Sequence, residues 1–279
     1  AALGGGCRLH FNLDMIAADA MSLRVLLDDL ARLYLEPQQP LPVLDLSYCQ
    51  YQQLRHAWLQ EPQQQARYAQ DKQWWLERLA DLPGAPMLPS VGLNPDSAQQ
   101  TVVRRHRWFD ARARQQLEAS AREHQLTLPM MIAAAFAEVL TQFSDDEDFI
   151  LNLPLFNREP LHTSVPALVG DFTSSVLLAW RGSNPGSFLE RAQRLQQQFR
   201  QDAAHACFSG VEVLREAARV RGQQQFAPVV FTSALGLGEL FSERVQQAFG
   251  QPGWIVSQGP QVWLDAQITE LNQGFLVRS

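Results

Sequence analysis

Asp265 is an acidic side chain that stands between a tryptophan and a glutamine on one face of a predicted strand. It lies in residues 261–269, where apolar and polar side chains alternate as they do along a strand. Because alternate side chains of a strand point to the same face, Asp265 shares one face with Trp263 and Gln267. That face is either exposed to solvent or lines a polar cavity, and the alternation is compatible with both. In a cavity, desolvation would raise the pKa of the carboxyl group and let it accept and return a proton.

Hydroxyl groups end a second strand-like segment, residues 229–233. Thr232 and Ser233 follow three apolar residues and precede Gly236 and Gly238. Side chains at the end of a strand, beside a flexible turn, are commonly used for binding. A purely structural turn is equally compatible with this pattern.

Asp14 and Asp19 flank four apolar residues, and Ser22 follows three positions later. Apolar side chains at helical spacing begin directly after Ser22, so Asp19 or Ser22 can cap the helix that starts there. Capping is the more frequent meaning of such a pattern. Two carboxylates this close to a predicted apolar strand, residues 7–13, must nevertheless find donors or cations, or become neutral.

Two further polar groups adjoin predicted strands. Arg158 follows Asn157 at the end of an apolar segment, residues 149–156, so its guanidinium either turns back into the fold or lies on the surface. Asp171 lies in a polar run, residues 169–175, directly before another apolar segment. A plain turn is the simpler interpretation of that run.

Composition argues against several classes of protein. The 279 residues suffice for one large domain or two modest lobes. A net charge of −6 disfavours a nucleic-acid surface, which needs clustered cations. No segment approaches the roughly 20 apolar residues that span a bilayer. The six histidines and three cysteines never stand at metal-ligand spacing, so we expect no metal site, reduced thiols and a cytoplasmic protein.

Helices and strands are mixed in this sequence without a regular period. We expect helix N-caps at Asp19 or Ser22, at Asp45 and at Asp110, and a capping box from Ser209 to Glu212. The predicted helices cover residues 20–36, 46–59, 64–82, 111–124, a segment opening at 127–129, 187–206 and a segment from 209. The predicted strands cover residues 102–109, 149–156, 174–180, 229–233, 254–256, 261–269 and 275–278.

Taken in order, the polar clusters resemble the signature blocks of heterocyclisation domains of nonribosomal peptide synthetases, a branch of the condensation-domain superfamily. The first block is D-x-x-x-x-D-x-x-S, here Asp14, Asp19 and Ser22, in place of the H-H-x-x-x-D-G motif of ordinary condensation domains. Gly259 departs from the family, in which threonine is common at that position. The later blocks are similar to residues 126–129, 153–158, 169–174, 231–236 and 260–267.

This resemblance implies an α/β fold of the α+β sandwich type, similar to chloramphenicol acetyltransferase, with two lobes in a V and a tunnel between them. The N-lobe is expected to be incomplete in this chain. Residues 1–97 would be the C-terminal portion of the N-lobe and the interlobe crossing. Residues 98–279 would be the C-lobe, which stops early relative to the family.

The resemblance also implies the reaction and its partners. The family condenses an upstream acyl or peptidyl thioester with carrier-bound cysteine, serine or threonine, and cyclodehydrates the product to a thiazoline or oxazoline. Phosphopantetheine arms of upstream and downstream peptidyl carrier domains deliver the substrates, so no cofactor is expected to be bound directly. An adjacent adenylation domain is expected, and a siderophore is a family-level expectation for the product.

The same resemblance suggests roles for individual residues. Asp265 is expected to move the protons, with the Thr232 hydroxyl orienting the intermediate or relaying a proton. The groups expected to bind substrate in the tunnel are Gln261, Gln267, Ser233 and Asn157. The groups expected to be structural are Asp14, Asp19, Ser22, Arg158 and Asp171. In particular, Asp19 is expected to pair with Arg158 and to hold the motif loop against the second lobe.

Two alternatives remain open at this stage. A plain condensation domain would make an amide without closing a ring, but the tandem histidines on which that chemistry relies are missing. A catalytically degenerate scaffold would only dock carrier proteins. The residues do not distinguish cysteine, serine and threonine as the acceptor.

Overall fold

The structure, a computed structural model, describes residues 7–89, 103–257, 259 and 261–279. The helices of these residues are α1 (Ala20–Leu35), α2 (Tyr48–Leu59), α3 (Pro62–Leu76), α4 (Ala111–Glu123), α5 (Leu128–Thr141), α6 (Phe188–Ala204), α7 (Gly210–Arg221) and α8 (Glu243–Phe249), with a 3-10 turn at Val165–Ala167. The strands are β1 (His106–Phe109), β2 (Asp148–Phe156), β3 (Thr173–Arg181), β4 (Val229–Ser233), β5 (Leu264–Leu271) and β6 (Gly274–Arg278).

The strands form one six-stranded mixed sheet in the order β1-β6-β5-β4-β2-β3. The central strands β2, β4 and β5 run parallel, and the hairpin of β5 and β6 adds antiparallel pairing that continues to β1. Parallel neighbours need crossover connections, and here helices supply them. The fold is therefore mixed α/β, as expected from the sequence.

Local capping explains where most helices begin. Thr127 accepts a hydrogen bond from the backbone of Met130, and Ser209 forms the predicted capping box with Glu212. The prediction for α2 was wrong by two residues: Ser47, and not Asp45, caps the helix. Ser47 has a glutamine three positions later, and that glutamine completes a capping box on the Ser47 backbone.

Three predicted elements differ from the structure. Residues 7–13 form no strand, so the D-x-x-x-x-D-x-x-S motif joins a turn to a helix. Residues 254–256 also form no strand, and Trp254 is 73% exposed. Helix α3 ends at Leu76 and not at residue 82, and tight turns follow it, such as the one closed by the Arg78 N–H and the Trp75 carbonyl.

Chain contacts group the described residues into two compact units. Unit 1 contains residues 7–64, 156–173 and 239–255, and unit 2 contains the remainder. Unit 1 has two small cores, one around Tyr51 and Phe172 and one where α1 packs on α8. Unit 2 has the main core, which covers one face of β4 and β5. The expected lobe boundary at residue 97 lies outside the described residues and stays a prediction.

Candidate functional site

A band of polar side chains crosses the sheet of unit 2 on the face opposite the core. In the strand register, Thr232 of β4 lies opposite Gln267 of β5, and Gln267 lies opposite Arg278 of β6. Asp265 lies opposite Val230, which in turn lies opposite Asn152 of β2. Partners in register point to the same side of a sheet. We call this surface the polar sheet face and define it by Asn152, Thr232, Asp265, Gln267 and Arg278.

The carboxyl group of Asp265 has two different oxygens. Oδ2 accepts a hydrogen bond of 2.5 Å from Nε2 of Gln267. Oδ1 is buried and has no hydrogen-bond partner among the described residues. Burial raises the pKa of Asp265, whereas the Gln267 hydrogen bond and the charge of Arg278 lower it. Asp265 is thus a desolvated carboxyl with one oxygen hydrogen-bonded and the other without a partner among the described residues.

Arg278 continues this hydrogen-bond chain to the next strand. Its Nε donates to Oε1 of Gln267 at 2.9 Å. Its Nη1 is buried without a partner in the part of the chain that the structure describes. Burial lowers the pKa of Arg278, as does the nearby charge of Arg104, and Asp265 opposes both. The guanidinium is therefore a cation held largely out of water beside a carboxyl.

The other predicted binding groups are distributed differently. Ser233 lies opposite Ile268, so it points to the core face and away from Thr232. Gln261 is exposed in a turn with a φ of 64°. Asn157 belongs to unit 1, is exposed, and donates its backbone N–H to the carbonyl of Phe172. Of the four predicted binding groups, the polar sheet face therefore includes only Gln267.

Sequence reasoning missed two members of the polar sheet face. Asn152 is a polar residue inside an otherwise apolar strand, and its Oδ1 is buried without a partner among the residues described. That interruption of the apolar run was the available signal. Arg278 is the last residue of β6, and its relation to Asp265 depends on the hairpin register, which no local pattern reveals.

In unit 1, the Asp19–Arg158 pair expected from the sequence is present. Nη2 of Arg158 lies 2.8 Å from Oδ1 of Asp19, and the Asp19 side chain is 0% exposed. The same oxygen accepts from the backbone N–H and the hydroxyl of Ser22, each at 2.7 Å. Asp19 is thus both the N-cap of α1 and the anion of a buried ion pair.

Ser22 links this ion pair to the segment around Gly170. Its hydroxyl lies 2.8 Å from the Gly170 carbonyl and accepts from the Gly170 N–H at 3.0 Å. The Ser22 hydroxyl has one proton and can donate it either to the Gly170 carbonyl or to Asp19. It therefore has two acceptors within reach and can donate to only one at a time. A Cβ on Gly170 would lie 2.2 Å from the Tyr48 ring, so only glycine fits.

The remaining contacts of Arg158 are also structural. Nη1 donates to the carbonyls of Val165 and Leu168, and the guanidinium lies 4.0 Å from the ring centre of Phe172. Asp171 is exposed; its carbonyl accepts from the Tyr48 hydroxyl and its side chain accepts from the Thr173 N–H. These contacts hold the 3-10 turn and the residues next to it against the guanidinium of Arg158.

Asp14 takes no part in the buried ion pair. It is exposed, and its side chain accepts only a local bond from the backbone of Ile16. Both Asp19 and Arg158 belong to unit 1, so the ion pair is internal to that unit. The Asp19 side chain is fully buried and already paired, and the structural role expected for the motif stays a prediction.

Within the described ranges, no group of three or more His, Cys, Asp or Glu side chains could hold a metal ion. No helix of those same ranges is long and apolar enough to cross a membrane.

Comparisons with known proteins agree on one family. Residues 8–251 match the family described as condensation domain. Phenyloxazoline synthase MbtB of Mycolicibacterium paratuberculosis is 50% identical over 275 residues, covering 98% of this chain and 23% of that protein. Pyochelin synthetase PchF of Pseudomonas aeruginosa is 39% identical over 271 residues, covering 95% of this chain and 14% of that protein. The chain therefore spans less than a quarter of each of these relatives.

Solved structures agree in fold. The EpoB NRPS cyclization-docking bidomain from Sorangium cellulosum superposes with a TM-score of 0.79 at 36% identity, covering 95% of this chain and 53% of that one. The first condensation domain of the calcium-dependent antibiotic synthetase superposes with a TM-score of 0.67 at 17% identity, covering 95% and 56%. The second likeness extends to the fold alone.

Proposed function

Because the chain belongs to the heterocyclisation branch of the condensation-domain family, we propose that it makes an amide and then closes it to a five-membered ring. The amide forms between an upstream acyl or peptidyl thioester and an amino acid on a downstream carrier. The acceptor side chain then attacks the new amide carbonyl, and water is lost. The product is an oxazoline or a thiazoline.

Ring closure requires the acceptor hydroxyl or thiol to lose its proton and the departing carbonyl oxygen to be protonated. The acceptor O–H or S–H bond breaks as the new C–O or C–S bond forms. The amide carbonyl oxygen then departs as water with that hydrogen and the amide hydrogen, leaving a C=N bond. The reaction consumes and releases no net protons. One carboxyl group can therefore accept a proton, return it, and finish in its original protonation state.

We assign the proton transfers to Asp265. The observation that supports this role is its combination of burial, a raised pKa and a free Oδ1 beside an oxygen held by Gln267. Thr232 lies on the same face, opposite Gln267, and is proposed to orient the intermediate or to relay the proton. Asn152 is a further polar group of that face that can bind the reacting amide.

We further propose that the acceptor is a hydroxyl amino acid. An oxazoline contains the oxygen of serine or threonine, and the relative at 50% identity is named a phenyloxazoline synthase. Carrier domains on both sides, their phosphopantetheine arms and an adenylation domain are proposed partners, in keeping with a multidomain synthetase. The cytoplasmic location and a siderophore product stay predictions.

The test uses the intact synthetase with loaded carriers and weighs the released product. A mass 18 units below the amide supports ring closure. An intact amide would indicate plain condensation, and no transfer would indicate a docking scaffold. Parallel reactions with serine, threonine and cysteine on the carrier identify the acceptor; ring closure with cysteine alone would contradict the hydroxyl assignment.

The role of Asp265 has its own test. Asp265→Asn keeps the shape but cannot take a proton, so we expect the amide to accumulate and the ring product to fall by roughly 100-fold or more. Asp146→Asn is the matched control, because that carboxyl is exposed. Ring formation by Asp265→Asn at the control rate would remove Asp265 from the mechanism.

A further inference from the structure

We propose that Arg278 is a positioning residue for ring closure: it fixes the orientation of the Gln267 amide and thereby directs the proton to Oδ1 of Asp265. This inference rests on the proposed function, because Asp265 has a proton to direct only if the ring-closing step takes place. It goes beyond the roles assigned above, since Arg278 acts through Gln267.

The first argument is the direction of the hydrogen bonds. An arginine side chain only donates, and an ionised carboxylate only accepts. Gln267 lies between the two, with Oε1 2.9 Å from Nε of Arg278 and Nε2 2.5 Å from Oδ2 of Asp265. If the Gln267 amide were turned over, its NH2 group would face the Nε–H of Arg278 and its oxygen would face Oδ2 of Asp265. Neither contact is a hydrogen bond. Arg278 therefore leaves Gln267 one orientation.

The second argument concerns the two oxygens of Asp265. With the Gln267 amide fixed, Oδ2 faces an N–H whether the carboxyl is charged or neutral. A proton taken up by Oδ2 would weaken that hydrogen bond, because a protonated oxygen is a poorer acceptor than a carboxylate oxygen. Oδ1 has no partner among the described residues, so it can take the proton without breaking a contact. The chain of two hydrogen bonds thus selects the reactive oxygen.

The third argument is the backbone that brings Arg278 to this point. Strands β5 and β6 are joined by two residues, Asn272 and Gln273, both with positive φ, at 48° and 61°. Such a turn matches the twist of the strands and fixes their register. Gly274 follows it, and a Cβ there would lie 2.1 Å from a backbone oxygen of β1. The hairpin therefore sets Arg278 opposite Gln267 with little freedom.

The charge of Arg278 adds an electrostatic effect. Within the described residues, the charged or titratable groups beside this chain are Arg278, Arg104 before β1, and His106, which lies opposite Arg278 on β1. The charge of Arg278 lowers the pKa of Asp265 against the effect of burial. Removing that charge raises the pKa further, so the acidic limb of ring closure should move to higher pH.

The experiment compares ring product with amide in the intact synthetase over a range of pH. For Arg278→Met we expect ring closure to fall relative to amide formation by on the order of 10- to 100-fold, with the acidic limb moved to higher pH. Arg278→Lys keeps the charge but loses the planar donor, so its acidic limb should stay near the wild-type position while its rate falls. Arg219→Met is the control, because its side chain is 74% exposed on α7.

A double variant tests whether Arg278 acts through Gln267. At pH values well above the acidic limb, where the charge effect on Asp265 no longer matters, Arg278→Met added to Gln267→Met should cost no further ring closure, because the amide to be oriented is already gone. Full, independent losses would overturn the proposal. So would wild-type rate and pH dependence in Arg278→Met. If Arg278→Met fails to fold, Arg278→Lys alone and in the Gln267→Met background decides by the same criterion.

Failure of this inference can be told apart from failure of the proposed function. A wild-type synthetase that stops at the amide refutes the proposed function, and this inference falls with it. Ring closure in the wild type that is insensitive to Arg278 refutes this inference alone.

Discussion

The buried ion pair of unit 1 makes a sharp prediction about stability. In Arg158→Ala, the Oδ1 atom of Asp19 keeps its two bonds from Ser22 but loses the cation 2.8 Å away. The other oxygen, Oδ2, already has no partner among the described residues. Since the side chain is 0% exposed, water does not replace the lost partner. A carboxylate is then left buried and uncompensated.

Breaking a buried pair from one side typically costs about 3–5 kcal/mol. Loss of the two carbonyl contacts and of the Phe172 contact acts in the same direction. Against a typical total stability of roughly 5–15 kcal/mol, this is a large fraction. The free energy of unfolding of Arg158→Ala should therefore fall by several kcal/mol.

The assay is urea unfolding followed by circular dichroism at constant pH and salt. Arg219→Ala is the matched control, because it breaks an exposed pair worth about 0–1 kcal/mol. Asp19→Asn in the Arg158→Ala background should recover part of the loss, since the unpaired charge is removed. A loss for Arg158→Ala no greater than that of the control, or no recovery in the double variant, would refute the reasoning.

Two further predictions concern stability. Burial raises the pKa of Asp202 to about 7, so the folded state binds its proton more tightly than the unfolded state, and the wild type should lose stability as pH rises from about 4 to about 7. Asp202→Asn should remove that part of the pH dependence; parallel melting-temperature profiles for the two proteins would contradict this. Gly170→Ala should cost about 1–3 kcal/mol, because the new Cβ meets the Tyr48 ring at 2.2 Å. Gly84→Ala, which meets nothing within 4 Å, should leave the unfolding midpoint nearly unchanged, and equal effects at both positions would be evidence against the steric argument.

Features set by near neighbours in the chain could be predicted from the sequence. The cap at Asp110 and the box from Ser209 to Glu212 depend on residues three positions apart, and both are present. The pairing of Asp19 with Arg158 was also expected, although it came from the family resemblance and not from spacing. The cap of α2 was predicted at Asp45 because Ser47, with its partner three residues later, was overlooked.

Features set by strand register could not be predicted in the same way. Asn157 was chosen from the segment that ends β2, whereas the residue in line with Asp265 is Asn152. Ser233 was grouped with Thr232 because they are adjacent, although adjacent strand residues point to opposite faces. Arg278 reaches Gln267 only through the hairpin register. Each of these depends on which strands are neighbours, and a single strand carries no information about that.

The strands that carry the polar sheet face also have consequences for how this sequence can vary. Ala266 is buried between Asp265 and Gln267, and Phe231 is buried beside Thr232, so core side chains and side chains of the polar sheet face alternate residue by residue. A bulkier side chain at position 266 would bend the strand and shift both polar neighbours at once. Substitutions that overpack such positions can therefore cost both stability and the geometry of the polar sheet face. Positions that never touch a substrate are in this way subject to selection for activity.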